Sequence, residues 1–278
     1  MICLIDIGGT YTRIARSDDG ETLSAVEVFK TPNLYKKGIE KISEATKKLE
    51  IKKPEFVACG IRGLLTEDRS MLQNDGVLTD WVKKPLKKDL EKLYKIEVRL
   101  ENDTALAGLG EAVYGAGKDI DIVVYHSIST GVGGVKVEAG KVDQASMGFE
   151  PGHQILDIDR TVLGDDITPT LENLVSGTAV EERLGVKPKD IPQNDVIWDE
   201  LAEYLSQGLR NTILYWSPDV IVLGGKMMTG DPAIPIEAIR RYTVDVLDEF
   251  VPCPFITVSK LGDEACLYGG LVLAQDVD

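Results

Sequence analysis

Two glycine-bearing segments have the residue types needed to hold anionic oxygens. In Asp6-Ile7-Gly8-Gly9-Thr10 a carboxylate ends an apolar stretch, two residues without side chains follow, and a hydroxyl closes the turn. Glycines let backbone amides approach a phosphate closely. Asp6 would sit beside a phosphate only across a cation, so its expected task is to orient Mg²⁺, through water. A plain hairpin turn capped by Asp6 accounts for the same residues. The second segment is Ser129-Thr130-Gly131-Val132-Gly133-Gly134, where Thr130 can donate to a phosphate oxygen and Gly131 and Gly133 clear space. It lacks the lysine of a Walker loop, and residues 135–138 read as a returning strand, which excludes a dinucleotide-binding fingerprint. A third pair, Gly224-Gly225, follows Val220-Ile221-Val222-Leu223. There a base and ribose could lie against backbone at a strand end, although a simple strand-to-helix turn explains it as well.

Transfer of a phosphoryl group from ATP to an alcohol needs a carboxylate to accept the hydroxyl proton. Asp103, in Glu101-Asn102-Asp103 where a strand passes into a helix, is the best-placed candidate, with helix capping as the competing account. Glu150 and His153 stand three apart in Glu150-Pro151-Gly152-His153, an arrangement suited to neighbouring hydroxyls of a polyol. Glu172, ahead of Ser176-Gly177, is a third hydroxyl partner. His126 lies within an apolar strand and reads as a satisfied structural residue.

The elements expected to position these groups alternate. Residues 1–7 and 11–16 read as strands around a glycine tip, residues 36–49 as a helix with Ile39, Ile42, Ala45 and Leu49 on one face, and residues 56–59 as a strand. A helix over 85–94, a strand over 96–100 and an alanine-rich helix over 102–114 follow. The second half repeats that order: strand 120–127, glycine tip 130–134, strand 135–138. Beyond lie helix 196–215, strand 220–223, helix 235–249, strand 255–259 and a last helix from about residue 264. This alternation predicts an α/β fold.

Composition narrows the functional classes. The chain has 278 residues, which favours two domains over one core. Its 31 Lys and Arg against 46 Asp and Glu leave a formal net charge of −15, which disfavours nucleic acid and anionic membrane as partners. Cys3, Cys59, Cys253 and Cys266 form no CxxC pair and read as free thiols. With no apolar leader and no apolar run long enough to span a bilayer, a cytoplasmic location is expected.

In sequence, DIGGT, END, STGVGG, EPGH, LENLVSG, IVLGG and LGDEACLYGG resemble, in order, the motifs of the ROK family of sugar kinases and sugar-responsive repressors. The resemblance implies two ribonuclease-H-like domains of the actin-like ATPase type around a central cleft, residues 1–113 and 114–278, with the last helix, about 264–276, packing back on the first. It implies ATP and Mg²⁺ as cofactors, a homodimer, and phosphorylation of a hexose or hexosamine at C6. By position, Asp103 matches the family's base. Asn102, Glu150, His153 and Glu172 match its sugar ligands, with Gly63 in a loop edging the sugar. Asp6, Gly8, Gly9 and Thr10 match the first phosphate loop, Thr130, Gly131 and Gly133 the second, and Gly224 with Gly225 the adenosine motif. Apolar residues over 163–175 are expected to offer a dimer surface.

Three departures stand out. Residues 154–171 hold no cysteine where many members carry a zinc motif, so no zinc is expected and Asp157, Asp159 and Arg160 are left to steady that loop. Val77 stands where an asparagine commonly meets the sugar, and Arg62 replaces a proline. The alternatives are a sugar sensor or an actin-like ATPase without kinase activity. Repressors of the family carry a DNA-binding segment ahead of the first glycine turn, which here begins at residue 6.

Overall fold

The computed structural model describes every residue except 144, 146, 147 and 276–278. It divides into two compact units. The first is built from Met1–Val113 and the stretch beginning at Glu264; the second from Tyr114–Asp143 and Phe149–Asp263.

The first unit opens with β1 (Ile2–Ile7), β2 (Tyr11–Ser17), β3 (Ala25–Lys30) and helix α1 (Tyr35–Lys48). There follow β4 (Phe56–Ile61), a short hairpin of β5 (Leu64–Leu65) and β6 (Leu72–Asn74), α2 (Leu86–Tyr94), β7 (Val98–Asn102) and α3 (Asp103–Val113). The second unit contains β8 (Ile122–Ile128), β9 (Val132–Glu138), β10 (Lys141–Val142), α4 (Leu171–Val175), α5 (Gly177–Leu184), α6 (Ile197–Trp216), β11 (Val220–Gly224), α7 (Lys226–Thr229), α8 (Ile236–Leu247) and β12 (Phe255–Val258). Helix α9 (Ala265–Gln275) belongs to the first unit.

Each unit has a five-stranded sheet, in the order β3-β2-β1-β4-β7 and β10-β9-β8-β11-β12. In both, the first three strands run antiparallel and the last two add in parallel to the central one. The strands at the centre are buried on both faces, which explains the near-continuous apolar runs of β1, β4 and β11. Their ends are level. Ile7 of β1 is the Cα partner of Ile61 of β4, which is in turn the partner of Asn102 of β7.

The helices bury the stripes their spacing foretold. In α1 it is Ile42 and Ala45, with Leu49 just beyond, while Lys47 and Lys48 complement the helix C-terminus. Trp81 lies against α1 where Gly38 leaves room for its ring, and its indole N–H donates to the Pro32 carbonyl at 3.0 Å. In the second unit α6 turns Trp198, Leu201, Leu205 and Leu209 into a core shared with α4, α8 and the sheet.

Several expectations shift. The strands β4 and β7 run two residues further than predicted, to Ile61 and Asn102, because parallel pairing continues to the sheet edge. The second glycine tip is shorter: Val132, Gly133 and Gly134 already pair with Ile128, Ser127 and His126. Glycine serves at position 134 because Pro151 Cγ lies 2.7 Å from where its Cβ would be. Of the apolar residues in the stretch 163–175, Leu163, Leu171, Leu174 and Val175 are core residues, while Ile167 is exposed. Strand β3 and the β5–β6 hairpin were not anticipated. Of the last helix, residue 276 lies outside the described residues. Among the described residues no helix is long and apolar enough to cross a membrane.

Helices α3 and α9 pack closely through glycines. A Cβ on Gly269 would fall well inside contact distance of the Leu106 carbonyl, and one on Gly110 would meet that of Ala265. Backbone on the far side cannot yield as a side chain can, so overpacking is costly here. Gly269→Ala is expected to lower unfolding stability by ~1–3 kcal/mol, read as a lower denaturant midpoint. An unchanged midpoint would contradict this packing.

Candidate functional site

In the first unit, the glycine turn joins β1 to β2. The Gly8 amide donates to the Tyr11 carbonyl at 3.0 Å, and the Gly8 carbonyl accepts from Thr31 Oγ at 2.7 Å. Thr31 in turn shares a 2.9 Å hydrogen bond with Thr12 and donates its amide to the Thr10 carbonyl. Thr10 itself is exposed and Gly8 and Gly9 are half-buried. Thr31 escaped sequence reasoning because β3 did; the cross-strand partner of the turn is visible only once that strand is paired.

Asp6 is buried two residues before Gly8. The tip places it opposite Arg13 on β2, and Arg13 Nη1 lies 3.4 Å from its carboxylate. Burial raises the pKa of Asp6 to about 7, helped by the charge of Asp103 and opposed by Arg13 and by a hydrogen bond from Cys266. Asp6 thus resists ionisation first because it is buried and then because the Asp103 carboxylate lies near it.

Asp103 opens α3, but it is not the cap. Asn102 Oδ1 accepts from the Ala105 amide at 3.0 Å, while its Nδ2 donates to the Gly63 carbonyl at 3.1 Å. Asn102 therefore does the capping and anchors the loop after β4. Asp103 Oδ1 accepts from the Thr104 amide at 2.7 Å. Its pKa is raised by burial, against the nearby charge of Arg62 and the Thr104 hydrogen bonds. Gly63 is required by its turn: its φ is +91°, and a Cβ would fall 2.7 Å from the Asn74 carbonyl.

Arg62 sits between these groups. Its Nε donates to Asp75 at 3.0 Å, and its Nη1 lies 2.6 Å from where a Gly9 Cβ would be. Val77, exposed, flanks the same glycine.

In the second unit the candidate residues converge on Val132. Glu172, at the start of α4, accepts the Val132 amide at 2.7 Å, and its carboxylate lies 2.5 Å from a Cβ built on Gly131. Gly152, in the 3-10 turn Pro151–His153, packs against the Val132 carbonyl, where no Cβ would fit. Glu150 and His153, on either side of it, are exposed. Thr130 is exposed at the tip, and the tip is tied to α5 by the Gly177 amide donating to the Ser129 carbonyl at 2.7 Å. Glu172, expected as a hydroxyl partner, is half-buried and bonded to the glycine turn.

Gly224 and Gly225 have a packing reason of their own. Gly224 faces the Tyr125 ring, and Gly225, at φ +83°, faces the Ile128 carbonyl too closely for a side chain. His126 is buried, with Nε2 3.0 Å from Thr212 Oγ and its ring stacked on Trp216. Burial lowers its pKa to about 4, so it stays neutral. Over 154–171, Asp157 accepts the amides of Val162 and Leu163, Asp159 accepts from Thr161, and Arg160 donates to the carbonyls of Gly164, Asp165 and Ile167. The loop is therefore closed by hydrogen bonds. Among the described residues no group of three His, Cys, Asp or Glu side chains could hold a metal ion. Cys3, Cys59 and Cys266 are buried free thiols and Cys253 is a half-buried one.

An α/β chain with paired five-stranded sheets and glycine turns at their strand ends defines a class well represented among solved structures. The ROK family pattern matches residues 2–277, and the chain belongs to the ROK family. It is 30% identical over 197 residues to a fructokinase of Pediococcus pentosaceus, covering 67% of each chain. A ROK hexokinase from Thermus thermophilus has the same fold, with a TM-score of 0.80 and 26% identity over 98% of this chain and 96% of that one. A ROK glucokinase from Streptomyces griseus, in complex with glucose and AMPPNP, superposes with a TM-score of 0.81 at 23% identity, covering 98% of both chains.

The environment of Asp6 has a measurable consequence. Its folded pKa, about 7, exceeds its ordinary value of 3.8, so the folded state holds this proton more tightly than the unfolded state. Stability is therefore lost as pH rises from the ordinary value through about 7. In magnesium-free protein, Asp6→Asn is expected to raise thermal stability, by an amount that grows between pH 4 and pH 8. A gain independent of pH would contradict the assignment.

Proposed function

We propose that the chain is an ATP-dependent sugar kinase that phosphorylates a hexose or hexosamine at C6, with Asp103 as the general base. The observation that carries the reading is the state of Asp103. It stands one residue beyond the level ends of three strands, on the same sheet edge as the first glycine turn with β4 between them, and the capping of α3 falls to Asn102 instead. Burial makes its carboxylate more basic than an exposed one, which suits a group that must take a proton from an alcohol.

The other residues divide the work. Gly9 and Thr10 receive phosphate oxygens in the first unit, on a turn that Gly8 closes through the hydrogen bond from its amide to Tyr11, and Thr130, Gly131 and Gly133 do so in the second. Gly224 and Gly225 lie against the adenosine. Glu150, His153, Glu172 and Asn102 receive sugar hydroxyls, with Gly63 shaping the loop beside them. Mg²⁺, met by Asp6 through water, supplies neutralisation of phosphate charge when bound. The two units correspond in this reading to ribonuclease-H-like domains of the actin-like ATPase type. Kinase names among similar proteins, and the nucleotide analogue and sugar in one solved relative, support it.

Asp103→Asn keeps size and shape but cannot accept the proton. Its turnover, followed as ADP release, is expected to fall ~10²–10⁴-fold, with sugar affinity by calorimetry within about twofold of the parent's. Retention of most of the parental rate would remove Asp103 from the chemistry.

A further inference from the structure

Topology brings one more charged group to the edge where Gly8 and Asp103 emerge. β4 lies between β1 and β7, and Ile7, Ile61 and Asn102 are level. The next residues along the three strands are Gly8, Arg62 and Asp103, so Arg62 leaves the sheet between the glycine turn and the base. Its amide donates to the Ile7 carbonyl at 3.2 Å, which continues the pairing one step past the strand.

The side chain is held as firmly as the backbone. Asp75 accepts from Arg62 Nε at 3.0 Å with one oxygen, while its other oxygen accepts the amides of Leu78 at 2.7 Å and Val77 at 3.3 Å. The Asp75 side chain is 4% exposed and that of Arg62 22%, so the pair is screened little by water. Pinned at Nε, the guanidinium lies over Gly9, with Nη1 2.6 Å from the missing Cβ. Any side chain at Gly9 would displace it. The glycine therefore admits an arginine as well as exposing backbone.

Charge makes the placement informative. The groups around this edge are the carboxyls of Asp6, Asp75 and Asp103, the thiol of Cys266, and the cations Arg13 and Arg62. Arg13 is directed at Asp6. An anionic phosphoryl group drawn against the glycine turn meets a field set by several carboxylates, and Arg62 is the cation that topology sets beside that turn.

We propose that Arg62 binds the transferring phosphoryl group at the first glycine turn and stabilises the charge it carries as it passes to the sugar. The assignment rests on the kinase reading above. In the step itself the sugar oxygen forms a bond to the γ-phosphorus, and its proton passes to the Asp103 carboxylate. The bond from the γ-phosphorus to the β,γ-bridging oxygen breaks, with the electron pair leaving on ADP. Negative charge spreads over the phosphoryl oxygens midway, where a planar guanidinium can match two of them and an ammonium cannot. Arg62 would thus bind the loosened phosphoryl more tightly than the intact nucleotide.

The test is equilibrium binding of MgADP, alone and with aluminium fluoride as the phosphoryl mimic, in the presence of fructose or glucose. It compares the parent protein with R62M and R62K. MgADP alone should bind all three within about twofold, whereas the fluoride complex should weaken at least about tenfold in R62M, with R62K between. The same fluoride affinity in R62M as in the parent overturns the assignment. So does an equal loss of MgADP with and without fluoride, which would make Arg62 a prop for the turn. If R62M fails to fold, R62K carries the comparison, with thermal midpoints as the check. Failure of the parent to bind MgADP at all would instead defeat the kinase reading itself.

Discussion

Ile7, Ile61 and Asn102 are held level by parallel pairing in the middle of a sheet buried on both faces. A slip of one residue in either pair would turn each following side chain to the opposite face. The register thus decides that the glycine turn, Arg62 and Asp103 leave the sheet together, and that Asp6, two residues back from Gly8, is enclosed. The raised pKa of Asp6 and of Asp103 follows from the same enclosure, since burial is the largest cause of each. Helix α9 closes this arrangement from behind, bringing the Cys266 thiol to Asp6 and its own glycines against α3.

The second unit solves a similar problem differently. Its glycine turn is short and carries little side-chain mass, so neighbouring elements hold it. Glu172 takes the Val132 amide, Gly152 lets the Pro151–His153 turn press on the Val132 carbonyl, and the Gly177 amide ties Ser129 to α5. Residues proposed to meet a sugar hydroxyl and residues proposed to meet a phosphate are consequently joined through one buried valine.

Much of this was legible in the sequence. Apolar runs such as Cys3-Leu4-Ile5 and Val220-Ile221-Val222-Leu223 identify central strands, and glycine pairs mark where those strands turn. Other features depend on partners far along the chain. Thr31 matters only because β3 pairs with β2, Asp75 only because Arg62 reaches it, and Glu172 only because α4 brings it to Val132. Capping competed with catalysis as an account of Asp103 because Asp and Asn are both good caps by type, and the hydrogen bond from Ala105 to Asn102 decides between the two neighbours. Leu163, Leu171, Leu174 and Val175 mislead for a similar reason, since their spacing shows an apolar face but not what covers it.

These observations are consistent with one chemistry, in which a glycine turn, an arginine and a basic, partly shielded carboxylate follow one another along a sheet edge. The most direct measurement of that chemistry is phosphorus NMR of the products formed from MgATP with fructose, glucose and N-acetylhexosamines. The account predicts ADP together with a new phosphate monoester, whose phosphorus couples to the two protons on C6 of one of these sugars. Orthophosphate as the sole new phosphorus product besides ADP, at a rate indifferent to every sugar, would contradict it.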